Sequence, residues 1–586
     1  MLSMLVLAAA LQAPDTGYFQ QRVAYRIEAR LDESAQVLNG RLRMHYQNRS
    51  SRQLDTLWFH LHLNAFRPHS LWARHDQAHG GLRFQQLGAE AHAFERVHRV
   101  TLDGRAVTPV FPLAPDSTVM AVPLRAPLLP GDSVMVGMDW DARPATLPRR
   151  QGRRGRHWDL AHWYPRIAVF DRDGWQVQPL LPQGEFYGEF AEYDVTLELA
   201  DDQVVGATGV PVSGDPGWAG AAAVPGAAPD YRRDVYPARA AEALGLLAPA
   251  PAAGRKQVRW RALDVHHFAW TTSPQYRYEG GAYGDVAIHV LYQPGDTAWD
   301  DGVAVRNTVA ALAWYDTIFG AFAWPQITNV HRIEGGGTEF PMMMMNGSAS
   351  AGLILHEAGH NYVQGILANN EFREGWLDEG FVAFLTNLAF HTRDGQSSWR
   401  RAIDEVRRLE TVRPVQPVDL PGAEFIDGEL YSAMTYRKAE AIFWMLRDVM
   451  GEANLRRGLR HYYEHNRLRH VREQDLVAAM EAFHPGGLGW FFHQWLHTTG
   501  RLDYELGPVS VKRRRDAKWE LRIEVLRHGD IWMPVTLLVN GARHRLESKD
   551  ARQWLTLILD ARPVEVVLDP DGVLLESDVT NNRRTL

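Results

Sequence analysis

Two histidines and two glutamates in the middle of the chain have the residue types and spacing of a metal-dependent hydrolytic site. His356 and His360 are four residues apart, and Glu357 follows the first of them. On an α-helix, side chains at i and i+4 lie on one face, so both imidazoles can reach one ion while Glu357 projects beside them. Glu379, nineteen residues after His360, offers a carboxylate at the start of a second predicted helix. Three such ligands leave a fourth position for water.

The alternative interpretation of these histidines is that they are satisfied within a hydrophobic core. The apolar run 353–355 directly before the motif predicts that the motif continues a buried helix. A carboxylate on a second helix at a sensible distance then favours the metal site over the core interpretation.

These residues resemble the gluzincin metallopeptidases, the family of aminopeptidase N and leukotriene hydrolase. The specific part is His356-Glu357-x-x-His360 followed, after eighteen residues, by Glu379 within the segment 376–380. Two looser stretches agree and occur in the right order. Residues 335–341 are similar to the family's Gly-x-Met-Glu-Asn exopeptidase motif, and residues 435–439 to its Tyr-x-Lys-Gly-Ala segment. Residues 46–66 and 162–171 also resemble the family's amino-terminal domain, so the resemblance covers most of the chain.

The resemblance implies a zinc-dependent aminopeptidase that acts on peptides. One zinc ion would be held by His356, His360 and Glu379, and it would acidify a bound water and polarise the scissile carbonyl. Glu357 would take the proton of the water as general base and deliver it to the leaving amine. Tyr436, at the place of the family's tyrosine, would stabilise the oxyanion.

The same resemblance assigns substrate binding to the segment around Glu339. In the family, the motif's glutamate binds the free α-amino group of the substrate, and Glu339 occupies that place. Gly336 and Gly337 allow the backbone to approach a ligand closely. Thr338 stands where methionine is usual and Phe340 where asparagine is usual, so the strictness of amino-terminal recognition stays open.

Three functions follow from these assignments. The first is an aminopeptidase. The second is an endopeptidase, or an epoxide-hydrolysing member of the same family, which the changed motif would allow. The third is a non-catalytic scaffold with the same fold, although the ligand set and the base are complete.

Composition sets the frame for this site. At 586 residues the chain exceeds what one hydrophobic core organises, so about two to four domains are expected. With 45% hydrophobic residues, 23% charged residues and a net charge of -7, nothing indicates nucleic acid or an anionic membrane surface as a partner. The absence of cysteine excludes disulfides and thiolate ligands, which leaves histidine and carboxylate as metal ligands. No integral membrane segment is predicted, and the oligomeric state is not indicated.

The fold class predicted is multidomain α+β. Alternating short strands predict an amino-terminal antiparallel β domain at 14–279, with an Ala/Pro/Gly-rich insertion at 214–254 that carries a short helix near 238–246. The resemblance implies a thermolysin-like mixed α/β catalytic domain at 280–500, with a mostly helical second half. A strand pattern with an Asn540-Gly541 hairpin signal predicts a carboxy-terminal β-sandwich at 501–586.

Residues 1–13 resemble the apolar part and the small-residue end of a secretory signal, although they lack its positive charges. An exported protein, periplasmic or extracellular, is therefore expected, with a cytoplasmic location as the alternative.

Two further groups in the β region carry polar chemistry. His60 and His62 lie two apart and would share one face of a strand, where exposed sheet histidines are expected rather than a metal pair. A cluster of five arginines is expected to be a solvated loop rather than a phosphate or carboxylate site. Its members are Arg149, Arg150, Arg153, Arg154 and Arg156. Asp159 is a candidate for a second group that binds the substrate amine.

Overall fold

A computed structural model of the protein describes residues 17–184, 186–223, 240–245, 250–396 and 399–586. The signal-like segment predicted at 1–13 lies outside these residues, as do 224–239 and 246–249 of the predicted insertion. Within the described part of that insertion, a short helix spans Ala240–Ala243, as the sequence predicts. A second short helix, Trp218–Ala221, is not predicted from the sequence.

The amino-terminal region is built of strands, because its sequence alternates polar and apolar residues. The strand Val37–Gln47 shows the period of two directly, since every second side chain is buried. In chain order the strands are β1 (Arg22–Asp32), β2 (Val37–Gln47), β3 (Leu54–His60), β4 (Phe94–Leu102), β5 (Arg105–Val107), β6 (Val119–Leu128), β7 (Ser133–Arg143), β8 (Gly152–Arg154), β9 (His157–Leu160), β10 (Arg166–Ile167), β11 (Val169–Asp171), β12 (Gly174–Gln176), β13 (Ala191–Ala200), β14 (Val204–Ala207), β15 (Val210–Ser213), β16 (Arg255–Val265) and β17 (Trp270–Ser273). The helices among them are α1 (Leu71–Ala78), α2 (Trp218–Ala221) and α3 (Ala240–Ala243).

The largest sheet of this region has eight strands in the order β15-β16-β13-β1-β2-β7-β4-β5. It is antiparallel except for β1 and β13, which run parallel. The prediction of an antiparallel domain is therefore wrong for this one pair, because alternation gives the faces of a strand but not its direction. Smaller sheets pack beside it in the orders β10-β3-β6, β14-β17-β9-β8 and β11-β12.

The next region carries a five-stranded sheet followed by helices. The strands of this region are β18 (Arg277–Tyr283), β19 (Val286–Tyr292), β20 (Gln326–His331), β21 (Glu339–Phe340), β22 (Met343–Asn346), β23 (Leu367–Asn369) and β24 (Arg469–Val471). The sheet order is β18-β19-β20-β22-β21, so the short strand β21 forms one edge. β23 and β24 form a separate parallel pair. The four methionines 342–345 are fully buried, as expected for sheet packing.

The helices that follow confirm the expected helical second half. They are α4 (Val303–Ile318), α5 (Ala351–His360), α6 (Glu379–Asp394), α7 (Trp399–Val412), α8 (Gly428–Ser432), α9 (Ala439–Met450), α10 (Glu452–Asn466), α11 (Glu473–Glu481) and α12 (Gly489–Leu496). The 3-10 turns are His62–Ala65, Gly375–Leu377 and Gly422–Glu424, and π-helical turns span Asn361–Ile366 and Ala433–Lys438. In the described residues, no helix has the length and apolar character that a membrane span requires.

The last region returns to strands. They are β25 (Tyr504–Arg513), β26 (Trp519–Arg527), β27 (Val535–Val539), β28 (Ala542–Leu546), β29 (Arg552–Leu559), β30 (Glu565–Leu568) and β31 (Arg583–Thr585). They form two sheets, β25-β26-β29 and β28-β27-β30-β31. The predicted hairpin joins β27 to β28, and Asn540 and Gly541 both have positive φ, at 48° and 80°, as a two-residue turn of type I′ requires.

Candidate metal centre and active site

Helix α5 places the two histidines of the motif side by side at the end of a buried helix. Ser350 caps its amino terminus by accepting a hydrogen bond from the Leu353 amide, and α5 ends at His360. The chain then turns away, since Gln364 in the following turn has φ of 88°. The Nε2 atoms of His356 and His360 are 3.0 Å apart, so both point toward one position.

Glu379 completes a set of three ligands. Its Oε2 atom lies 3.3 Å from His356 Nε2 and 3.2 Å from His360 Nε2. Tetrahedral zinc at its usual distances from nitrogen and oxygen would separate neighbouring ligand atoms by about 3.3–3.6 Å. The spacing and chemistry of the donor atoms therefore fit a zinc ion. Glu379 Oε2 has no hydrogen-bond partner among the described residues, which is also expected of an atom reserved for a metal.

The residue before this ligand orients the second histidine. Asp378 is fully buried, and its carboxylate lies 2.6 Å from His360 Nδ1. This contact leaves Nε2 as the nitrogen that faces Glu379, the arrangement by which carboxylates orient metal-binding histidines. Burial lowers the pKa of His356, which favours the neutral imidazole that a metal can bind.

Glu357 lies against the glycine-rich segment that precedes β21. A Cβ atom added to Gly337 would lie 1.9 Å from Glu357 Oε1, so only glycine leaves room for this carboxylate. Glu357 is 4% exposed. Burial, and then the nearby carboxylate of Glu339, raise the pKa of Glu357 well above its usual range. The structure thus brings Glu357, Gly337 and Glu339 together beside the ligand set.

Tyr436 reaches the same place from the helical half. Its hydroxyl donates a hydrogen bond to Glu379 Oε1, the oxygen that does not face the histidines. It lies in the π-helical turn Ala433–Lys438 between α8 and α9, a local geometry frequent at functional sites. The rings of Phe381 on α6 and Phe443 on α9 stack with centroids 4.6 Å apart. This packing fixes the helix that carries Glu379 against the one that follows Tyr436.

Three buried carboxylates lie close together near Glu357. Oxygen atoms of Glu339, Glu371 and Asp378 all lie within 4.8 Å of one another. Glu339 sits on edge strand β21 and is 4% exposed, and its Oε1 atom has no hydrogen-bond partner among the described residues. Like charges this close repel one another, and either a nearby cation or protonation of one carboxyl group reduces the repulsion.

A comparison with known protein families shows which class of metal-binding protein this segment resembles. Residues 342–495, which include the three ligands, Glu357 and Tyr436, match the peptidase family M1 domain. The chain carries a peptidase family M1 domain. Glu339, Gly336 and Gly337 precede the matched residues and are joined to the M1 domain through β21.

Curated relatives share this part of the chain. Aminopeptidase N of Lactobacillus helveticus is 24% identical over 163 residues, which are 26% of this chain and 19% of that protein. Aminopeptidase M1 of Arabidopsis thaliana is 25% identical over 178 residues, which are 29% of this chain and 19% of that protein. The matched segments thus span about a fifth of the length of these relatives.

The likeness in structure extends beyond the M1 domain. An M1 zinc metallopeptidase from Deinococcus radiodurans superposes with a TM-score of 0.56 at 16% identity. The match covers 82% of this chain and 95% of that one. The chain therefore has the fold of these proteins: a β-rich amino-terminal region followed by a largely helical region.

Two residues near the M1 site were not singled out from the sequence as part of it. Glu371 is fully buried and accepts a hydrogen bond from the Phe186 amide at 2.7 Å. Arg150 comes from the amino-terminal region, and its Nη1 atom lies 4.0 Å from Glu339 Oε1. The solvated loop expected for the arginine cluster is wrong for Arg150 and Arg153, which are both buried. The sequence around Arg150 and Arg153 gives no sign that they are buried. The fold of β8 and the adjoining chain places these two side chains inside the protein.

Asp159 does not lie with the acids of the site. It accepts hydrogen bonds from the Thr271 hydroxyl at 2.7 Å and the Ile333 amide at 2.8 Å, and its Oδ1 atom lies 3.1 Å from His157 Nε2. These contacts tie the amino-terminal region to the strand end after β20. The role of Asp159 in the structure is therefore to join two regions.

A cleft between the amino-terminal and helical regions borders the M1 site at Tyr436. Its volume is about 520 Å³, within the range of roughly 300–1,000 Å³ usual for ligand sites. His75 and His79 of the α1 segment, Arg149, Tyr431 and Tyr436 are among the residues that line it. A substrate that enters would thus contact both regions.

Proposed function

We propose that this protein is a zinc-dependent aminopeptidase that removes amino-terminal residues from peptides. The observation that carries the proposal is the buried acidic group at Glu339, placed directly beside a three-ligand metal set and its base. A metal centre with Glu357 as its base, but without the acidic group, would be compatible with many metal-dependent hydrolases. The acidic group adds a place for a positive charge, and the free α-amine of a peptide is a charge of that kind.

One zinc ion fits the ligand set formed by His356, His360 and Glu379. Bound there, zinc would supply Lewis-acid chemistry, which lowers the pKa of a water molecule and polarises the scissile carbonyl. Asp378 holds the ring of His360 in its ligand orientation through Nδ1. The three ligands come from two helices, so their positions depend on the packing of α5 against α6.

Glu357 is placed to move protons. It follows a ligand on α5, and Gly337 leaves its carboxylate room beside the ligand atoms. It would accept a proton from the attacking water and donate one to the leaving amine, a contribution of about 10²- to 10⁴-fold in rate. Tyr436, which contacts the ligand Glu379, would donate a hydrogen bond to the oxyanion, worth about 3 kcal/mol when well placed.

Recognition of the amine would fall to Glu339 together with Glu371. Both carboxylates are buried, and the ammonium of a bound peptide would offset their mutual repulsion. Arg150, 4.0 Å from Glu339, offsets part of that negative charge before the substrate binds. Binding the ammonium in this place would set which peptide bond reaches the metal, and so limit cleavage to the first residue.

The proposal includes the finer arrangement of the chain. We assign a thermolysin-like catalytic domain to 280–500 and a carboxy-terminal β-sandwich to 501–586, with export from the cytoplasm as the expected location. These assignments rest on the sequence pattern and on the resemblance.

The test is hydrolysis of fluorogenic aminoacyl amides by the zinc-loaded full-length protein, with the same amides carrying a blocked amine. We expect the free amines to be cleaved and the blocked ones to be left intact. Glu339→Gln should raise KM for free amines without loss of zinc. Glu334→Gln is the matched control, because Glu334 lies in the same segment but pairs with Arg149. Equal cleavage of free and blocked amides would instead favour an endopeptidase, and inactivity on both sets would favour another substrate class or a scaffold.

A further inference from the structure

A second polar cavity lies behind the substrate-binding strand, within the amino-terminal region. It is enclosed by four histidines, an arginine and the side chain of Phe340, and the space open to the centre of a water molecule is about 10 Å³. The histidines are His60, His62, His162 and His267, and the arginine is Arg166. The expectation that His60 and His62 are exposed is wrong, since each is 2% exposed.

The register between β3 and β10 places two of the residues that line this cavity. β10 pairs antiparallel with β3, and Arg166 lies directly opposite His60. Opposite residues of such a pair project from the same face with their Cβ atoms about 5 Å apart. His267 joins them from the segment before β17, where Arg166 Nη1 donates a hydrogen bond to its ring. Backbone pairing therefore fixes Arg166 beside His60, and a side-chain hydrogen bond adds His267.

Several polar atoms in this cavity have no partner among the described residues. They are both ring nitrogens of His60 and of His62, Nε2 of His162 and Nη2 of Arg166, and all four side chains are more than nine-tenths buried. Buried nitrogen donors are normally paired, and a group of unpaired ones around a common space indicates a bound water or ion.

The charge in the cavity selects the sign of the ion. An arginine side chain such as that of Arg166 stays protonated in proteins. Burial and the guanidinium of Arg166 lower the pKa of His60 and His162 well below the usual range, which favours neutral rings. Two buried acids interact with Arg166. Burial raises the pKa of Glu95 well above the usual range, which favours its uncharged form, and the carboxylate of Glu371 favours the protonated guanidinium. The cavity is thus lined by one guanidinium and several ring nitrogens, and no carboxylate is among its lining residues.

We propose that this cavity is a binding site for a single monatomic anion of the halide class, held by Arg166, His60 and His162. A divalent cation would be repelled by the guanidinium. A polyatomic anion such as phosphate exceeds a space that holds about one water molecule. A halide accepts hydrogen bonds from all directions, which matches donors that converge from three segments.

The site is coupled to the peptidase site through Phe340. This residue follows Glu339 on β21, and its side chain lies on the cavity side. Its ring stacks on Phe186 with centroids 5.6 Å apart, and the guanidinium of Arg150 lies 4.8 Å from the centre of the Phe186 ring. A filled cavity would therefore hold Phe340, and with it Glu339, in place. This consequence rests on the proposed aminopeptidase function, whereas binding of the anion does not.

The direct test uses bromide in place of chloride. Crystals of the zinc-loaded full-length protein grown in sodium bromide are expected to show anomalous scattering from bromine within hydrogen-bonding distance of Arg166 Nη2. Arg166→Gln should lose this signal, and Arg154→Gln, which changes an exposed arginine on β8, should retain it. A water molecule alone or a metal ion in the cavity would overturn the proposal.

A solution measurement keeps the test independent of whether the variant folds. In wild-type protein at constant ionic strength, replacing gluconate by chloride is expected to raise the unfolding temperature to a saturating value, because the anion binds the folded state. Chloride should also lower KM for free aminoacyl amides. If the unfolding temperature is the same in gluconate and in chloride, the proposal of an anion site is wrong. A chloride-dependent unfolding temperature with no peptidase activity would instead leave the anion site standing and count against the aminopeptidase function.

Discussion

At the scale of single residues, the hydroxyl of Tyr436 is the group whose proposed role is confined to the transition state. In the structure it donates a hydrogen bond to Glu379 Oε1, so it already lies beside the metal ligands. In the proposed role this hydroxyl would stabilise charge that develops only in the transition state, and its loss should therefore affect turnover rather than substrate binding.

We expect Tyr436→Phe to lower kcat by about 100- to 1,000-fold with little change in KM. Steady-state kinetics on an aminoacyl amide measure both. Tyr431→Phe is the matched control, since its ring lies 6.5 Å from that of Tyr436 and its hydroxyl lies beside Gly375. A loss of zinc in Tyr436→Phe, or an equal loss of kcat in the control, would contradict the assigned role.

Asp378 contacts His360, and we expect it to act through this ring rather than on the substrate. We expect Asp378→Asn to weaken zinc binding by about 10- to 100-fold, because a neutral amide accepts the imidazole N–H less strongly than a carboxylate does. Competition with a chromophoric chelator measures the affinity. Asp394→Asn, at the surface end of the same helix α6, should leave it unchanged. Equal affinities in the wild type and Asp378→Asn would argue against the orienting contact.

At the scale of elements, the glycine run before β21 controls how closely the substrate strand approaches α5. Gly337 faces Glu357, and an added methyl group would lie 1.9 Å from the carboxylate oxygen. Gly335, two residues earlier, faces open space within 4 Å. The two positions therefore separate the effect of contact with the base from the general effect of replacing glycine.

We expect Gly337→Ala to lower kcat/KM by about 100-fold or more, since a misplacement of about 1 Å in a catalytic group has an effect of this size. Gly335→Ala should retain most of the activity. Zinc content and the circular dichroism spectrum should match the wild type in both variants. Full activity of Gly337→Ala would mean that Glu357 is not held against this segment.

At the scale of the whole molecule, a metal held by the three ligands would join α5 to α6, and these helices belong to the core shared with the five-stranded sheet. A ligand that binds only the folded state stabilises it by mass action, by about 4 kcal/mol at a thousandfold excess over Kd. The ligands His356, His360 and Glu379 are therefore expected to contribute to stability as well as to catalysis.

Removal of zinc with a chelator should abolish peptidase activity and lower the unfolding temperature measured by calorimetry, and added zinc should restore both. His356→Ala is the control, because a site without this ligand should show a much smaller shift with the chelator. If the wild type unfolds at the same temperature with and without chelator, the ligand set does not hold a stabilising ion.

The sequence alone determined the parts of the site that depend on local spacing. His356, His360 and Glu357 share one helix, so the helical period places them together whatever surrounds the helix. The hairpin at Asn540-Gly541 follows from turn chemistry in the same way. The spacing also made Glu379 a candidate third ligand. The assignments of Tyr436 and Glu339 needed the resemblance, because spacing along the chain does not show how separate helices and strands pack.

Only the tertiary structure decided which distant residues surround these groups. Arg150 enters the site from a loop that the sequence indicates as solvated, and Glu371 joins Glu339 although no periodic pattern marks it. His60 meets Arg166 because two strands more than a hundred residues apart in sequence pair in one register. Charge and hydrophobicity along a chain report the average environment of each segment. Strand register and the packing of sheets on helices set the contacts of a particular side chain, and both depend on the whole fold.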